Sequence, residues 1–496
     1  MSEFDPGIAQ CFSANRYLAV EGEAFEVVNP STLATVGKRG VPNRAQVEEI
    51  LAEARRAQRA WAKTDPKTRA AMLHEVARSM CQELQHEVAR LLTLEVGKPL
   101  PEAFGELANI PPIFQYFAEL ARDDAGSIAG AIQPDLLQFK RYDPCGVSAH
   151  IVPYNYPILI MAFTVAASLA AGNAVVIKPS EVSTLCTLRF MQHFAALPAG
   201  VVSCIPGDGA TGAALVESEH VDVVAFTGSA ETARSVAIKC AERMIPSVIE
   251  GGGNDPMVVS SHGDLDYAAA AATCAAFHLS GQICTSTERI YVLDSVYDGF
   301  VARFVERVKA LRIGDGLGRH EIGPMATEKS RERLAKLVAE ACEAGARLAC
   351  GGRMPPDQPV GWYYEPTVLL DATPDMSIMQ SEIFGPAVAV CKVASFEEAL
   401  DLCNASRYGL GATVLTSDLR EAMRASEELE SGMVWINNPL VDNDALPFGG
   451  RKRSGLGREL GPEGLNVFRN VKYVTIDPIQ AAQEWWYPYD DAVFDV

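Results

Sequence analysis

The chain is 496 residues long, which predicts two or three domains rather than one. Hydrophobic residues make up 48% of it and charged residues 21%, a balance that supplies large cores and argues against global disorder. The formal net charge of -20 argues against nucleic acid or an anionic membrane as a partner, because both bind basic surfaces.

Cysteine usage and apolar stretches narrow the class further. The twelve cysteines have irregular spacings without a CxxC pair or a His/Cys cluster, so we predict neither a metal site nor a disulfide framework. Free thiols are typical of the cytoplasm, and the first residues lack the pattern of a signal peptide. The longest apolar stretch, 158–172, is too short to span a bilayer and predicts a buried helix. We therefore expect a cytoplasmic protein.

The N-terminal part of the chain changes from extended to helical patterning at Asn43. Residues 1–42 hold short extended segments, and Asn43 is a predicted N-cap. Pro66 is a favourable first residue for a further helix, and Gly-Lys-Pro at 97–99 interrupts the helical pattern. The apolar spacing predicts helices over 45–61, 67–96 and 101–121.

The middle of the chain alternates short apolar strands with helices. After a strand predicted at 136–142, strand–turn–helix units begin with strands at 146–152, 174–177, 201–205 and 221–226. This alternation predicts an α/β fold with a parallel, doubly wound sheet. Ligands of such sheets bind at the carboxyl ends of the strands, where the turns of these units lie.

A second α/β pattern follows a short strand predicted at 247–249. It contains helices at 267–277, 296–311 and 329–344 and strands at 289–293 and 433–436. The Gly- and Arg-rich stretch 447–461 predicts a structured loop, and 471–476 predicts an edge or intersubunit strand. The tail is too aromatic for a free disordered end, since it contains Trp485, Trp486, Tyr487 and Tyr489.

Cys284 lies in Gly-Gln-Ile-Cys-Thr-Ser at 281–286, between a predicted helix and a predicted strand. A reactive thiol needs partial access and neighbours that favour the thiolate, which is the nucleophilic form. Small polar neighbours favour this interpretation over a buried structural cysteine. The motif alone also fits a structural residue.

Three turns at strand ends offer groups for a nucleotide. Gly207, Gly209 and Gly212 form GxGxxG, a weak signal without its acidic partner. Thr-Gly-Ser at 227–229 opens a helix and suits a phosphate, although it equally fits an ordinary N-cap serine. Lys178 and Glu181 are three residues apart and can hold the two hydroxyls of a ribose, or form a solvated surface pair.

Two further polar residues suit the chemistry of a carbonyl. Glu250 ends a strand before three glycines and is a candidate general base, or a surface carboxylate. Asn155, in a tight turn between aromatic residues, can donate a hydrogen bond to an oxyanion, or is a simple turn asparagine.

Together these motifs closely resemble the aldehyde dehydrogenase superfamily, from about residue 20 to residue 477. The resemblance depends on the following motifs, in order: PYNYP at 153–157, KPSE at 178–181, FTGS at 226–229, EGGGNDP at 250–256, GQICTS at 281–286, EIFGP at 382–386 and PFGGRKRSGLGRELG at 447–461. The spacing of Glu250 and Cys284 also resembles that of the hydrolytic members.

The resemblance implies an architecture and a cofactor. It implies a Rossmann-like NAD-binding domain over 1–122 and 144–252, and an α/β catalytic domain over 253–452. A small β oligomerisation arm with the tail comprises 123–143 and 453–496, and the protein is expected to be a homodimer or homotetramer. The implied cofactor is NAD rather than NADP, because Glu181 would accept hydrogen bonds from a ribose 2′-hydroxyl and repel a 2′-phosphate.

The resemblance also assigns roles to residues. Cys284 attacks the aldehyde, Asn155 and the Cys284 backbone N–H hold the oxyanion, and Glu250 activates the water that hydrolyses the thioester. Glu459 lies on a proton path from Glu250, and Lys178 belongs to the catalytic set as well as the cofactor set. The implied cofactor residues are Ile151, Val152, Pro153, Tyr154, Lys178, Ser180, Glu181, Gly209, Phe226, Gly228, Ser229, Glu382 and Phe384. The implied substrate residues are Tyr156, Ile160, Phe163, Ile283, Thr285, Asp442 and Phe448.

Departures from the family pattern and competing functions complete the expectations. Gly251 stands where leucine is commoner and is expected to loosen the backbone beside Glu250. Asp442 and Asp444, where many members have apolar residues, predict poor use of anionic aldehydes, unless both carboxylates face solvent. Alternative functions are a CoA-acylating dehydrogenase, whose members generally lack the glutamate found at 250, and a non-catalytic structural protein of the same fold.

Overall fold

The computed structural model describes residues 3–80, 84–483 and 485–489. Its α-helices are α1 (Arg44–Trp61), α2 (Pro66–Ser79), α3 (Leu84–Val96), α4 (Leu100–Ala108), α5 (Ile110–Asp123), α6 (Pro157–Ala171), α7 (Thr184–Phe190), α8 (Gly209–Glu217), α9 (Ala230–Glu242), α10 (Leu265–Phe277), α11 (Tyr297–Lys309), α12 (Glu328–Glu343), α13 (Ser377–Gln380), α14 (Phe396–Asn404), α15 (Leu419–Glu428) and α16 (Gly461–Val467). Short 3-10 helices occur at Met191–Ala196, His278–Gly281, Asp294–Val296 and Lys452–Ser454.

The strands complete the inventory of elements. They are β1 (Gln10–Ser13), β2 (Arg16–Ala19), β3 (Gly22–Val28), β4 (Thr35–Pro42), β5 (Gly126–Ile128), β6 (Leu137–Pro144), β7 (Val147–Ile151), β8 (Ala174–Lys178), β9 (Val202–Cys204), β10 (Val223–Thr227), β11 (Ser247–Glu250), β12 (Asp255–Val259), β13 (Thr287–Leu293), β14 (Arg347–Cys350), β15 (Thr367–Leu370), β16 (Ala387–Val393), β17 (Gly411–Leu415), β18 (Met433–Ile436), β19 (Gly455–Leu456) and β20 (Arg469–Ile476).

The first large sheet has the strand order β19-β11-β10-β7-β8-β9-β1-β2. The strands from β11 to β9 run parallel, and β1, β2 and β19 pair antiparallel at the two edges. From β7 the chain continues to β8 and β9 on one side and then returns to β10 and β11 on the other. The carboxyl ends of β7 and β10 therefore flank a topological switch point, where such sheets bind ligands.

The second large sheet has the order β14-β15-β16-β13-β12-β17-β18 and is parallel except for β14. Its central strands are apolar and buried on both faces, as is typical of parallel sheets covered by helices. The two sheets with their helices confirm the predicted α/β class. A smaller antiparallel sheet, in the order β20-β6-β5, stands apart from both, and β20 is the predicted edge strand.

Two stretches that were each predicted as one helix form two helices in the structure, so these two predictions are wrong. The stretch 67–96 forms α2 and α3, and α2 ends at Met80, whose N–H bonds to the Ala77 carbonyl in a tightened turn. The stretch 101–121 forms α4 and α5, which meet at Asn109. Pro111 and Pro112 have no N–H to donate to the last carbonyls of α4, so the helix cannot continue through them.

Local sequence explains how α1 and α6 are placed. The Asn43 side chain accepts a hydrogen bond from Gln46 N at 2.9 Å, which confirms the predicted cap of α1. Helix α6 is apolar around its whole circumference, lies almost entirely buried and packs against α5. Across the described ranges, no helix combines the length and the apolar character that crossing a membrane requires.

Candidate active site

A cavity of about 930 Å³ lies where the two large sheets meet. On one side it is lined by the loops that follow β7, β8, β10 and β11, at the carboxyl edge of the first sheet. On the other side lie the loops that precede β13 and β16, at the amino edge of the second sheet. Its volume is in the upper part of the range of about 300–1,000 Å³ that is typical of small-molecule sites.

The structure brings most of the predicted site residues to this one cavity. Every predicted cofactor residue lines it, from Ile151 in the loop after β7 to Phe384 before β16. Asn155, Glu250 and Cys284 line it as well. Residues separated by more than two hundred positions in the chain therefore share one space because the two sheet edges face each other.

Cys284 is half-buried in the loop that precedes β13. The residues leading into this loop are left-handed, with φ of 51° at Leu279, 52° at Ser280 and 68° at Gly281. This conformation costs about 1–2 kcal/mol for each residue other than glycine, so the surrounding structure must hold it. At Gly281 a Cβ would lie 2.2 Å from the Gly385 carbonyl oxygen, so only glycine fits.

The surroundings of the Cys284 thiol are acidic. Burial raises its pKa well above the usual value, and the charges of Glu250, Asp255 and Glu382 act in the same direction. The sequence analysis expected neighbours that favour the thiolate, but the groups around Cys284 favour the protonated thiol. The resting group is a thiol, and a base must take its proton before it attacks.

Glu250 is the last residue of β11 and is 2% exposed. Burial raises its pKa to about 7, and the Cys284 thiol and the Gly252 N–H act in the opposite direction. Neither carboxylate oxygen of Glu250 accepts a hydrogen bond of normal geometry from any residue that the structure describes. A buried carboxylate with free acceptor sites and a pKa near neutrality is suited to take a proton from a thiol or from water.

The backbone next to Glu250 is held rather than loosened. The Gly251 N–H donates to the Ser454 carbonyl at 2.8 Å. A Cβ at Gly251 would lie only 2.9 Å from the Arg453 carbonyl oxygen. The expectation that Gly251 loosens this turn is wrong, because close backbone approach explains the glycine.

Asn155 lies in the turn between β7 and α6 and is 1% exposed. Neither its amide nitrogen nor its amide oxygen has a hydrogen-bond partner within the described part of the chain. Buried polar side chains are rarely left unsatisfied, so such a group indicates a site that a ligand completes. The amide lines the same cavity as the Cys284 thiol and can donate to an oxygen held there.

The far end of the cavity offers groups for a nucleotide. Lys178, the last residue of β8, donates from Nζ to the Pro179 carbonyl at 3.1 Å. Burial lowers the Lys178 pKa, and Glu181 and Asp208 oppose this effect. Ser229 is the N-cap of α9 and accepts a hydrogen bond from Thr232 N at 3.4 Å. It is thus an ordinary cap serine that also lines the cavity.

Glu382 and Phe384 lie in the loop before β16. This loop is held in place by Glu288 and Arg333, which the sequence analysis did not single out. Glu288 accepts hydrogen bonds from Ile383 N and Phe384 N, both at 2.8 Å, and Arg333 donates to the carbonyls of Glu382 and Ile383. Burial, followed by the charge of Glu288, raises the Glu382 pKa well above its usual value. Glu288 stands directly before the strand predicted at 289–293, where a carboxylate is normally solvated, so the sequence carried no signal of its role.

None of the seven predicted substrate residues is among those that line this cavity. Ile160, Ile283 and Thr285 are buried, and the Phe163 and Phe448 rings pack edge to face at 5.4 Å within a hydrophobic core. Two members of the set keep appreciable exposure, namely Tyr156 and Asp442.

Asp442 stands apart from the buried members of this set. It keeps solvent access, yet desolvation raises its pKa to about 6. Its charge also contributes to the raised pKa values of Tyr156 and Glu250. Asp442 is therefore an exposed residue whose charge still acts on groups of the catalytic centre.

Glu459 lies behind the base. It is 2% exposed, and its Oε1 accepts a hydrogen bond from the Thr227 hydroxyl at 3.4 Å. Burial, followed by the charge of Glu250, raises its pKa well above the usual value. Thr227 lines the cavity, so Glu459 connects through one hydroxyl to the space that Glu250 faces.

Comparisons with known proteins agree with this geometry. The model of the aldehyde dehydrogenase family matches residues 17–474. The chain is 36% identical over 481 residues to a peroxisomal aminoaldehyde dehydrogenase 2 of Malus domestica, which covers 93% of this chain and 95% of the relative.

Solved structures are equally similar. A betaine aldehyde dehydrogenase of Staphylococcus aureus in complex with NAD+ superposes with a TM-score of 0.93, at 31% identity and 97% coverage of both chains. An NADP-dependent enzyme of E. coli has a TM-score of 0.91 at 33% identity, with 95% of this chain and 98% of the other covered. These matches confirm the resemblance and the fold class: the chain belongs to the aldehyde dehydrogenase family.

Proposed function

We propose that the protein oxidises cationic aldehydes, of the amino-aldehyde or trimethylammonio-aldehyde type, to carboxylates with NAD. Oxidation of an aldehyde to an acid is the reaction of its family. The observation that supports the substrate class is the charge of the exposed Asp442, which contributes to the raised pKa values of Tyr156 and Glu250. A carboxylate there attracts a cationic tail and repels an anionic one. The aminoaldehyde and betaine aldehyde dehydrogenases among the similar proteins support the same class.

The residues of the chain divide the chemistry among them. Glu250 takes the proton of Cys284, and the thiolate attacks the aldehyde carbon. The Asn155 amide donates to the oxyanion that forms and so favours attack, and the negative charge on that oxygen then drives the departure of hydride. Bound NAD supplies the hydride acceptor. The product on Cys284 is a thioester, and Glu250 then takes a proton from the water that hydrolyses it, while Glu459 receives protons from Glu250 through the Thr227 region.

The cavity fits a dinucleotide in size and in its lining groups. Lys178 and Glu181 would hold the adenosine ribose, Ser229 at the start of α9 the pyrophosphate, and Glu382 the ribose next to the nicotinamide. We propose NAD over NADP, because Glu181 would repel a 2′-phosphate. The test is kcat/KM with each cofactor, and a higher value with NADP would overturn this part of the proposal.

The Asp442→Asn variant tests the substrate class. Its kcat/KM ratio for 3-aminopropanal over butanal should fall by about threefold to tenfold, because one nearby attractive charge is removed. Asp444→Asn in the same loop is the matched control and should change this ratio less. Succinate semialdehyde should be a poor substrate of the wild type. An unchanged ratio in Asp442→Asn would show that the Asp442 carboxylate does not act on the substrate, and would contradict the proposed substrate class.

Two competing functions have a common test. A CoA-acylating enzyme would need CoA to release its product, and a non-catalytic protein would form no NADH. Incubation with an aldehyde and NAD, with and without CoA, should give NADH and free acid in both cases. The buried Glu250, with acceptor sites free for water, supports hydrolysis over transfer to CoA.

Assembly and location complete the proposal. We propose the domain division 1–122 with 144–252, 253–452, and 123–143 with 453–496, with the last acting as an oligomerisation arm in a homodimer or homotetramer. Exposed apolar side chains on both faces of the β20-β6-β5 sheet support this role. A cytoplasmic location is supported by the free state of all eleven cysteines that the structure describes. Cell fractionation with an antibody against the chain tests it.

A further inference from the structure

Three charged side chains around the start of α4 are enclosed by the protein and have no role in the chemistry above. Lys98 lies just before the helix and is fully buried, Glu106 is 2% exposed, and the Glu102 side chain is 13% exposed. Buried charges are costly unless they are paired and hydrogen-bonded. Each of these three has partners, and the partners lead to the two loops that carry the reacting groups.

Glu106 holds the turn that carries Asn155. Tyr156 is the N-cap of α6 but provides no side-chain hydrogen bond to the first turn. Glu106 takes its place: its Oε1 accepts from Ile158 N at 2.9 Å and from Leu159 N at 3.1 Å. A carboxylate at a helix N-terminus satisfies free N–H groups and complements the helix dipole. The position of Asn155, directly before this helix, is therefore tied to α4.

Glu102 holds the segment that leads to Cys284. Its Oε2 accepts a hydrogen bond from Leu279 N at 3.0 Å, and its Oε1 lies 3.3 Å from His278 Nδ1. Leu279 begins the left-handed stretch that ends at Gly281, three residues before the nucleophile. A backbone in this conformation relaxes unless neighbours hold it, and Glu102 is one of those neighbours.

Lys98 joins the two arms. Its Nζ forms an ion pair with Glu106 and lies 3.7 Å from the centroid of the Tyr156 ring, next in the chain to Asn155. Its charge also lowers the pKa of Glu102, which burial raises to about 7. Among the hydrogen bonds of the described residues, none links 153–157 directly to 278–286. The route between the two loops runs through α4.

We propose that Lys98, Glu102 and Glu106 are positioning residues, which fix the distance between the Asn155 amide and the Cys284 thiol across the boundary of the two sheets. The inference rests on the proposed function, because the amide and the thiol must meet at one substrate carbonyl. Neither carboxylate touches the substrate, and each acts through a backbone N–H of the loop that it holds.

Variants at Glu106 test the arm that holds Asn155. In Glu106→Gln the amide oxygen can still accept from the start of α6, but the ion pair with Lys98 is lost, and Glu106→Ala loses both. The rate of NADH formation in a single turnover at saturating aldehyde should fall about 10-fold in the first and about 100-fold in the second. The NAD dissociation constant should change less than about threefold, because the cofactor groups lie on other loops.

Glu102→Ala tests the arm that holds Cys284 without any substrate, because it removes the acceptor of the Leu279 N–H. Relaxation of the segment at Leu279 should expose the thiol and reduce the burial that raises its pKa, so alkylation of Cys284 by iodoacetamide should become at least about threefold faster. Single-turnover NADH formation should fall in the same variant. An unchanged alkylation rate would overturn the role of Glu102.

Glu95→Gln is a matched control. Glu95 is 1% exposed and accepts from Leu185 N at 2.7 Å and Cys186 N at 2.6 Å, so it caps α7 as Glu106 caps α6. It should lower the Tm without changing the alkylation rate or the single-turnover rate. Equal loss of the single-turnover rate in Glu95→Gln and Glu106→Gln, at equal loss of Tm, would overturn the proposal.

Misfolding of a variant and failure of the proposed function give different results. If Glu106→Ala does not fold, Glu102→Ala decides the matter, since it leaves the start of α6 capped. If the wild type forms no NADH with any aldehyde, the proposed function fails. The alkylation arm then still decides whether Glu102 holds the Cys284 loop.

Discussion

At the scale of the residue, the site is a set of buried polar groups without hydrogen-bond partners among the residues that the structure describes. Asn155 and Glu250 both have unsatisfied side-chain atoms, and Cys284 lies beside them with its thiol protonated. Such groups cost stability, and they persist because a ligand and a reaction use them. The acidic surroundings raise the pKa of the Cys284 thiol, so the thiol has to lose its proton before it attacks.

Cys284→Ala should abolish dehydrogenase activity, because the thiol is the only group in the cavity assigned to attack the aldehyde. We expect a fall of more than about 100-fold in kcat, with the NAD dissociation constant changed less than about threefold. The measurements are steady-state NADH formation and quenching of intrinsic fluorescence by NAD. Retention of a larger share of turnover would contradict the assignment of the nucleophile.

Glu250→Gln should separate the two halves of the reaction. Acylation loses only the help of Glu250 in removing the thiol proton, for which water can substitute, whereas deacylation loses its base. Rapid mixing should therefore show a burst of NADH that forms more slowly than in the wild type, followed by a slow phase. In the wild type the carboxylate is the active form and its pKa is about 7. The deacylation rate should therefore fall as the pH drops through about 7, and this dependence should be absent from the slow phase of the variant. Equal loss of burst and slow phase would mean that Glu250 acts mainly on Cys284.

At the scale of the element, the reacting groups sit on short loops whose shape the neighbouring backbone dictates. The loop at 279–284 is left-handed at its start, and Gly281 has the Gly385 carbonyl directly against it. The loop before β16 is tied by Glu288 and Arg333. Rigid sheets supply the precision that such loops lack by themselves.

Gly281→Ala tests this dependence. A Cβ at that position meets both an unfavourable φ of 68° and a carbonyl oxygen at 2.2 Å, so the free energy of unfolding should fall by more than about 2 kcal/mol. Gly345→Ala is the control, since φ there is 109° but no atom lies within 4 Å of the added carbon. It should cost about 1–2 kcal/mol and leave activity intact. Equal effects of the two changes on urea unfolding would mean that the Gly385 contact is unimportant.

At the scale of the whole molecule, the small sheet β20-β6-β5 exposes more apolar side chains than a soluble monomer usually does. Along β20, Val471 is 63% exposed and Tyr473 is 67% exposed, and Ile128 on β5 is 77% exposed. The aromatic tail is also open to solvent in the single chain, since Trp485 is 70% exposed. A three-stranded sheet with apolar residues open to water is typical of an interface.

Val471→Lys should weaken the proposed assembly. Light scattering after size exclusion should give a dimer or tetramer for the wild type and a smaller mass for the variant, because a charge is buried at the interface. Leu419→Lys is the control, since Leu419 is 75% exposed on α15, away from the small sheet. A wild-type mass equal to one chain would contradict the proposal.

The class of fold could be predicted from the sequence and is confirmed, and the residues that we assign to the reaction were predicted from it as well. Alternating strands and helices predicted the parallel sheets, and Asn43 predicted the start of α1, because these signals are local. The motifs around Asn155, Glu250 and Cys284 predicted one site, since a reaction at a carbonyl needs a nucleophile, an oxyanion donor and a base together.

Only the tertiary structure decided how these groups are held and how they ionise. The splitting of 67–96, the close approach at Gly251 and the raised pKa values of Cys284 and Asp442 depend on neighbours far away in the chain. The connection through α4 was equally invisible, because Glu102 and Glu106 read as ordinary helix residues until their partners at 279 and 158 are known. Desolvation and long-range hydrogen bonds arise from packing, which a local pattern does not record.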